Sequence, residues 1–404
     1  MVRFQRFARI AFGIVLGVGV WAACGQPRSE EKNMNATDHF SSSFAEARQK
    51  FLEAAAAAGA GIESLKNPAT GPEGEGLFTD LALLGPRGSK TVLMLISGTH
   101  GVEGFAGSAV QTGLMREGIA SNLKEDSSIL MIHAINPYGF AQLRRVNEDN
   151  VDLNRNFLDH SLPHPKNPGY DALADFIAPM SIQSLSRIAV WPRLLWYKAT
   201  GRTEELQQAI SGGQYSYPEG LFYGGKFETW SNKIIRSIVH RYLSGAQRII
   251  VIDLHTGLGP YGDYEMILQQ QEESPTYRRA VAMWGPEKVI TTSNGDSDQD
   301  DRGTDGDSSY AECSGPMKLA FPNLLPEAVV TAVTVDFGTL SAIKVFLALR
   351  DENWLYHHGN PSTSRGKRIK AALRQAFYPE DDDWKEAVWS GAKQVVYQAI
   401  ENGS

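Results

Sequence analysis

The chain has 404 residues, 42% of them hydrophobic, with 39 Lys and Arg against 46 Asp and Glu and only two cysteines. This composition excludes a disordered, collagen-like or disulfide-stapled chain, and a net charge of −7 gives no basic footprint for nucleic acid. Cys24 and Cys313 stand too far apart for a C-x-x-C redox pair or a zinc knuckle, so any metal site must rely mainly on His and carboxylate ligands.

In chain order, the first segment is an address. Arg3, Arg6 and Arg9 make a positive stretch without acids, and Ile10 to Val20 follow as eleven uncharged residues, the layout of a signal peptide. Eleven residues rise about 16 Å as a helix, about half the hydrocarbon core of a bilayer, which argues against a transmembrane anchor. Trp21-Ala22-Ala23-Cys24 closes the segment and resembles a bacterial lipobox, in which the cysteine is diacylated and becomes the new N-terminus. The resemblance implies a lipoprotein anchored through Cys24 in the cell envelope. Gly25 replaces the Asp of an inner-membrane retention signal, which favours an outer-membrane address, periplasmic or surface-facing. Ordinary secretion with an unmodified cysteine is the alternative. Cleavage after residue 23 would remove three arginines and no acid, leaving a net charge of −10 and Cys313 as a lone buried thiol.

Residues 24–45 are polar, include Ser41, Ser42 and Ser43, and read as a flexible tether, with 46–404 as one folded domain. Phe44 to Ala58 has an Ala-rich helical pattern. Lys90–Ile96, Ser128–Ala134, Arg248–Leu254 and Val329–Val335 are apolar runs of strand length, and Phe105 to Glu117 reads as a helix. Such runs alternating with helical patterns predict an α/β fold: a mixed, largely parallel central sheet with helices on both faces. The segment 158–223, rich in aromatic residues and Pro, reads as an insertion that covers the site and selects the substrate, or equally as a partner surface.

In parallel sheets ligands bind beyond the carboxyl ends of the strands. There, each apolar run is followed by a polar group and then glycine: His100 to Gly104, Asn136 to Gly139, His255 to Gly257, and Asp336 to Gly338. His100 and Glu103, three apart in a Gly-flanked turn, can bend onto one cation, and His255 arrives from another strand. Two His and one Glu are a ligand set of hydrolytic zinc sites. Blander readings stand beside this one. His133, inside an apolar run, reads as core; Arg144 and Arg145 as solvated loop charges; Asp152 as a turn cap; Arg155 as half of a structural ion pair.

The most specific stretch lies between the histidines: Asn136-Pro137-Tyr138-Gly139, Arg144-Arg145-Val146-Asn147 and Asp152-Leu153-Asn154-Arg155-Asn156-Phe157. With His100, Glu103, His255 and Asp336 it resembles the carboxypeptidase A-like zinc peptidases of the funnelin type, whose pattern runs H-x-x-E, N-P-D-G, R-K-N, D-x-N-R-N-[FW], a strand-borne His and a late carboxylate. Order and spacing agree over about Lys90 to Gly338. The runs from His100 to Gly104, Asp253 to Gly259 and Asp336 to Thr339 look specifically like a bacterial branch of that group known as a domain of unknown function. The resemblance implies one zinc ion per chain held by His100, Glu103 and His255, with Asp152 orienting His100. It implies that Arg145 stabilises an oxyanion, that Asn154 and Arg155 bind a substrate carboxylate, and that Asp336 moves the proton of an activated water.

It further implies cleavage of an amide bond next to a free carboxylate, on a peptide or an N-acyl amino acid. The alternatives are a zinc N-acyl amino acid deacylase, a murein peptide amidase, and a binding lipoprotein with an impaired site. Two departures motivate the last of these: Asp336 is one methylene shorter than the family's Glu, and Val102 stands where several members carry Arg. Tyr261, Tyr264 and Tyr310 are candidates for the family's substrate-loop tyrosine. Three other motifs fail. Asp296, Asp298, Asp300 and Asp307 follow a calcium-loop register, but Asp301 occupies the place of the turn glycine. Gly85 to Thr91 lacks P-loop spacing and a clear preceding strand, and there is no G-x-S-x-G.

Overall fold

The computed structural model describes residues 35–182, 190–292 and 310–403. Among them, eight strands form one sheet: β1 (Gly61–Thr70), β2 (Gly76–Leu84), β3 (Thr91–Ser97), β4 (Ser127–His133), β5 (Arg248–Tyr261), β6 (Tyr264–Leu268), β7 (Val289–Thr291) and β8 (Val329–Gly338). Their order is β1-β2-β4-β3-β5-β8-β6-β7. The four central strands β4, β3, β5 and β8 run parallel, whereas β1–β2, β2–β4 and β6–β8 pair antiparallel. The fold is therefore a mixed α/β sheet with a parallel centre.

Alternation along the central strands feeds two cores, as a sheet covered on both faces requires. Leu93, Leu95, Ile129, Met131, Ile250, Ile252, Val333 and Val335 face one cluster, closed by the helices Phe44–Ala57, Gly104–Arg116, Pro275–Trp284 and Asp382–Asn402. Val92, Met94, Ile96, Leu130, Ile132, Ile249, Val251 and Ala332 face the other, under the helix Trp230–Leu243. A third apolar cluster joins the helices Pro168–Ile177 and Thr203–Ser211 of the insertion to the helices Ala342–His358 and Ser364–Phe377.

Five expectations are corrected. The tether does not reach 45: a short helical turn, Ala36–His39, leads into the fold, and Ala36, His39, Phe40 and Ser41 are buried. Serine 43, taken as tether, caps the first helix by accepting a hydrogen bond from Glu46 N. A strand does precede Gly85, namely β2, whose mixed polar and apolar pattern hides it; the P-loop still fails on spacing. Finally, β5 and β8 do not stop with their apolar runs but continue through His255 and Asp336, which are neighbours in the strand register. Cys313 is half-buried rather than buried. Residues 1–34, including Cys24, and the acidic loop 296–307 lie outside the described residues.

Candidate metal centre

The turn carrying the first two candidate ligands is held by backbone contacts that only glycine permits. Gly101 N and Val102 N donate to the carbonyls of Arg145 and Arg144 (3.1 and 2.8 Å), so the loop after β3 lies directly on the loop after β4. A Cβ on Gly101 would come 1.9 Å from the carbonyl carbon of Gly139. Asn136 fixes the second loop: its side chain accepts from Gly139 N at 2.9 Å and donates to Arg145 O at 3.3 Å. The sequence pattern Asn-Pro-Tyr-Gly thus acts through shape, presenting Arg145 beside Glu103.

His100, Glu103 and His255 converge, all buried, with ligand atoms within 4.8 Å of one another. Nδ1 of His100 lies 3.0 Å from Glu103 Oε1, and Nδ1 of His255 lies 2.8 Å from Glu103 Oε2 and 3.0 Å from Nδ1 of His100. Each imidazole is backed through its other nitrogen by a carboxylate: His100 Nε2 by Asp152 (3.0 Å) and His255 Nε2 by Asp253 (2.7 Å). That arrangement fixes ring orientation and turns both Nδ1 atoms to a common point, the pattern of carboxylate-supported metal ligands. The cluster fits a metal ion, and its N and O donors suit zinc.

Asp253 stands outside the motif positions to which a role attaches in the sequence. Its signal was its spacing: two residues before His255 on one strand, it shares the same face. Thr99 Oγ1 donates to its second oxygen at 2.7 Å. Asp152 makes contacts on both sides. Its Oδ1 faces His100 and accepts from Asn154 N at 2.9 Å, capping the turn, while Oδ2 accepts from Arg145 Nε at 3.0 Å. Arg145 also donates to Glu103 Oε1 at 3.0 Å, so it is no free loop charge.

Electrostatics follow from burial against pairing. Burial works to raise Glu103, but His100 and His255 overcome it and hold the carboxylate well below its usual range. Asp152 is likewise held down against burial by Arg145, His100 and Arg155. Burial would lower His255, yet Asp253 and Glu103 raise it to about 10, so without a metal it carries a proton between the two acids. Asp336 is the exception among the acids. Burial and the charge of Glu103 push it well above the carboxylate range, and its buried Oδ1 has no hydrogen-bond partner.

His100, Glu103, Arg145, His255 and Asp336 open on one cavity of about 360 Å³, lined also by Asn154, Arg155, Tyr310 and Lys318. Asn154 Oδ1 accepts from Met317 N at 3.0 Å, and its amide nitrogen lies 3.4 Å from His255 Nε2. Arg155 is buried and donates to the carbonyls of Asn154 and Ser211, while its Nε stays unpartnered; no ion pair of Arg155 occurs among the described residues. Of the three tyrosine candidates, only Tyr310 reaches the cavity; Tyr264 packs on Phe337 and Tyr261 is exposed. Val102 is fully buried in the third apolar cluster, which leaves no room for a longer polar side chain there. Arg144 points elsewhere: it is buried, paired with Glu352 at 3.0 Å and stacked on Tyr356. The insertion contributes Trp191, Leu206 and Ile210 to the cavity wall. Asn156 ties down the end of the insertion through the carbonyls of Gly224 and Phe227 and the backbone of Thr229.

Fold and cluster together define an open-sheet α/β protein with a buried His/Glu/His centre at the carboxyl ends of its parallel strands. The chain belongs to the family described as protein of unknown function DUF2817, whose model matches residues 40–391. No curated protein matches the sequence. Among solved structures it is similar to bovine thrombin-activatable fibrinolysis inhibitor in complex with tick carboxypeptidase inhibitor, at 13% identity and a TM-score of 0.43, covering 90% of this chain and 97% of that one. It is similar to carboxypeptidase A from Helicoverpa armigera at 13% identity and a TM-score of 0.43, covering 86% and 77%. It is also similar to succinylglutamate desuccinylase from Chromobacterium violaceum at 15% identity and a TM-score of 0.36, covering 82% and 74%.

Proposed function

We propose that this protein is a zinc-dependent hydrolase that cleaves an amide bond next to a free carboxylate. The observation that carries the reading is the convergence of two carboxylate-backed imidazoles and Glu103 beside the half-buried Asp336, whose buried Oδ1 has no partner, in one cavity. Zinc held by His100, Glu103 and His255 would supply a Lewis acid and a water of lowered pKa. The chain's own groups divide the remaining work. Asp336, with no other partner for its Oδ1, accepts the proton of the attacking water and returns it to the departing nitrogen. Arg145 keeps Glu103 and Asp152 in place and offers positive charge to the developing oxyanion. Arg155, with Asn154 beside it, attracts the substrate's free carboxylate.

The test has two arms. Glu103→Ala should lose both bound zinc and hydrolysis, whereas Asp336→Asn should keep about one zinc per chain and lose about 100-fold or more in kcat. Metal analysis and turnover on peptides and N-acyl amino acids check both; full activity after chelation ends the reading. A deacylase or a murein peptide amidase would share these outcomes and differ only in the amide that is cut. The signal-peptide and lipobox patterns support the further proposal that the enzyme is displayed from Cys24 on a membrane of the cell envelope.

A further inference from the structure

Lys318 lines the cavity yet has no part in the chemistry described. It sits on a short helical turn, Met317–Leu319, whose first residue is bound through its N–H to Asn154. Its Nζ donates to the carbonyl of Ile267 at 2.9 Å. Ile267 pairs with Thr334 and Thr334 with Asp253, one side-chain step behind the pair His255 and Asp336. The ammonium therefore lies by the wall of the cavity about 7 Å along the strands from the candidate metal row.

The cations of this wall make no direct ion pair among the described residues. Lys318 lines the cavity and meets one carbonyl, which leaves two of its three donors without a partner among the described residues, and Arg155 also meets only carbonyls and keeps an idle Nε. Burial lowers the Lys318 ammonium to about 8, while Cys313, Asp253 and Asp336 act to raise it. Much of the remaining wall is apolar, including Leu206, Ile210, Phe346 and Leu349. Two cations that make no ion pair among the described residues, in a mostly apolar cavity whose acids Glu103 and Asp336 stand at the candidate metal row, are costly to bury and are relieved when anions arrive.

We propose that Lys318 forms a second anion subsite, so that the preferred substrate releases an acidic residue, Asp- or Glu-like, whose main-chain carboxylate faces Arg155 and whose side-chain carboxylate faces Lys318. The inference rests on the carboxylate-side hydrolase reading and narrows its substrate class.

Calorimetry on the zinc-loaded protein compares L-glutamate with L-glutamine, which differ by one charge at nearly constant shape. Glutamate should bind about 10- to 100-fold more tightly. Lys318→Met and Lys318→Gln should bring glutamate down to the level of glutamine and leave glutamine unchanged, with thermal midpoints verifying that each variant folds. Equal binding of the two amino acids by the unaltered protein overturns the subsite, whatever the variants do. So does a preference that survives the loss of Lys318. If glutamine and glutamate bind equally and Arg155→Met weakens both, the subsite fails while the hydrolase reading stands. Binding of neither amino acid overturns both.

Discussion

Single residues in this protein owe their roles to the sheet face on which they fall. His133 and His255 are both strand histidines, but His133 shares its face with Ile129 and Met131, stacks on Phe51 and meets Ser108, whereas His255 lies on the opposite face with Asp253. Burial lowers His133 to about 4 from 6.5. The folded state therefore keeps this imidazole neutral where the unfolded chain takes up a proton. Its full contribution to stability is present above pH 6.5 and is lost as the pH falls from there toward 4, at about 1.4 kcal/mol per pH unit. Urea titrations between pH 7.5 and 4.5 should show this slope, and His133→Gln should flatten it. The core reading of His133 was legible from its apolar run. The part of Asp253 was equally present in the spacing, but an i, i+2 pair reads as a joint site only once one knows that β5 continues beyond its apolar residues.

At the scale of elements, the loops after β3 and β4 act as one piece because Gly101 and Gly139 let their backbones touch. Gly101→Ala should force them apart, costing about 3 kcal/mol or more and releasing the metal, since His100 and Glu103 flank the substituted position. Denaturant melts and metal content measured on the same sample check the two effects together. The central strands were legible because burial on both faces leaves unbroken apolar runs. The hairpin β1–β2 was not, for the opposite reason. β1 is largely exposed, and β2 mixes Thr79 and Asp80 with its apolar residues; both of these are buried, Thr79 on the carbonyl of Ala134 and Asp80 on Arg48 and Ser64. A buried polar residue with a distant partner looks like loop when read locally.

For the whole molecule, the fold begins by Asn35, which shortens any link from Cys24 to eleven residues at most, or about 36 Å at full extension. A protein held on lipid chains by so short a link would work close to its membrane. Cys24→Ser should move it from the membrane pellet to the soluble fraction without altering its turnover, as fractionation and assay of both fractions will determine. Among the described residues no helix is long and apolar enough to cross a membrane.

The contact between His100 and His255 spans 155 positions of chain and is made only when β3 and β5 are paired in register. A slip of β5 by one residue would turn His255 and Asp253 to the other face and bring Leu254 to the centre. A metal ion held here could therefore not serve as a seed for folding, as it does in small zinc modules; it would arrive as an inspector, bound only by chains whose sheet has been correctly assembled.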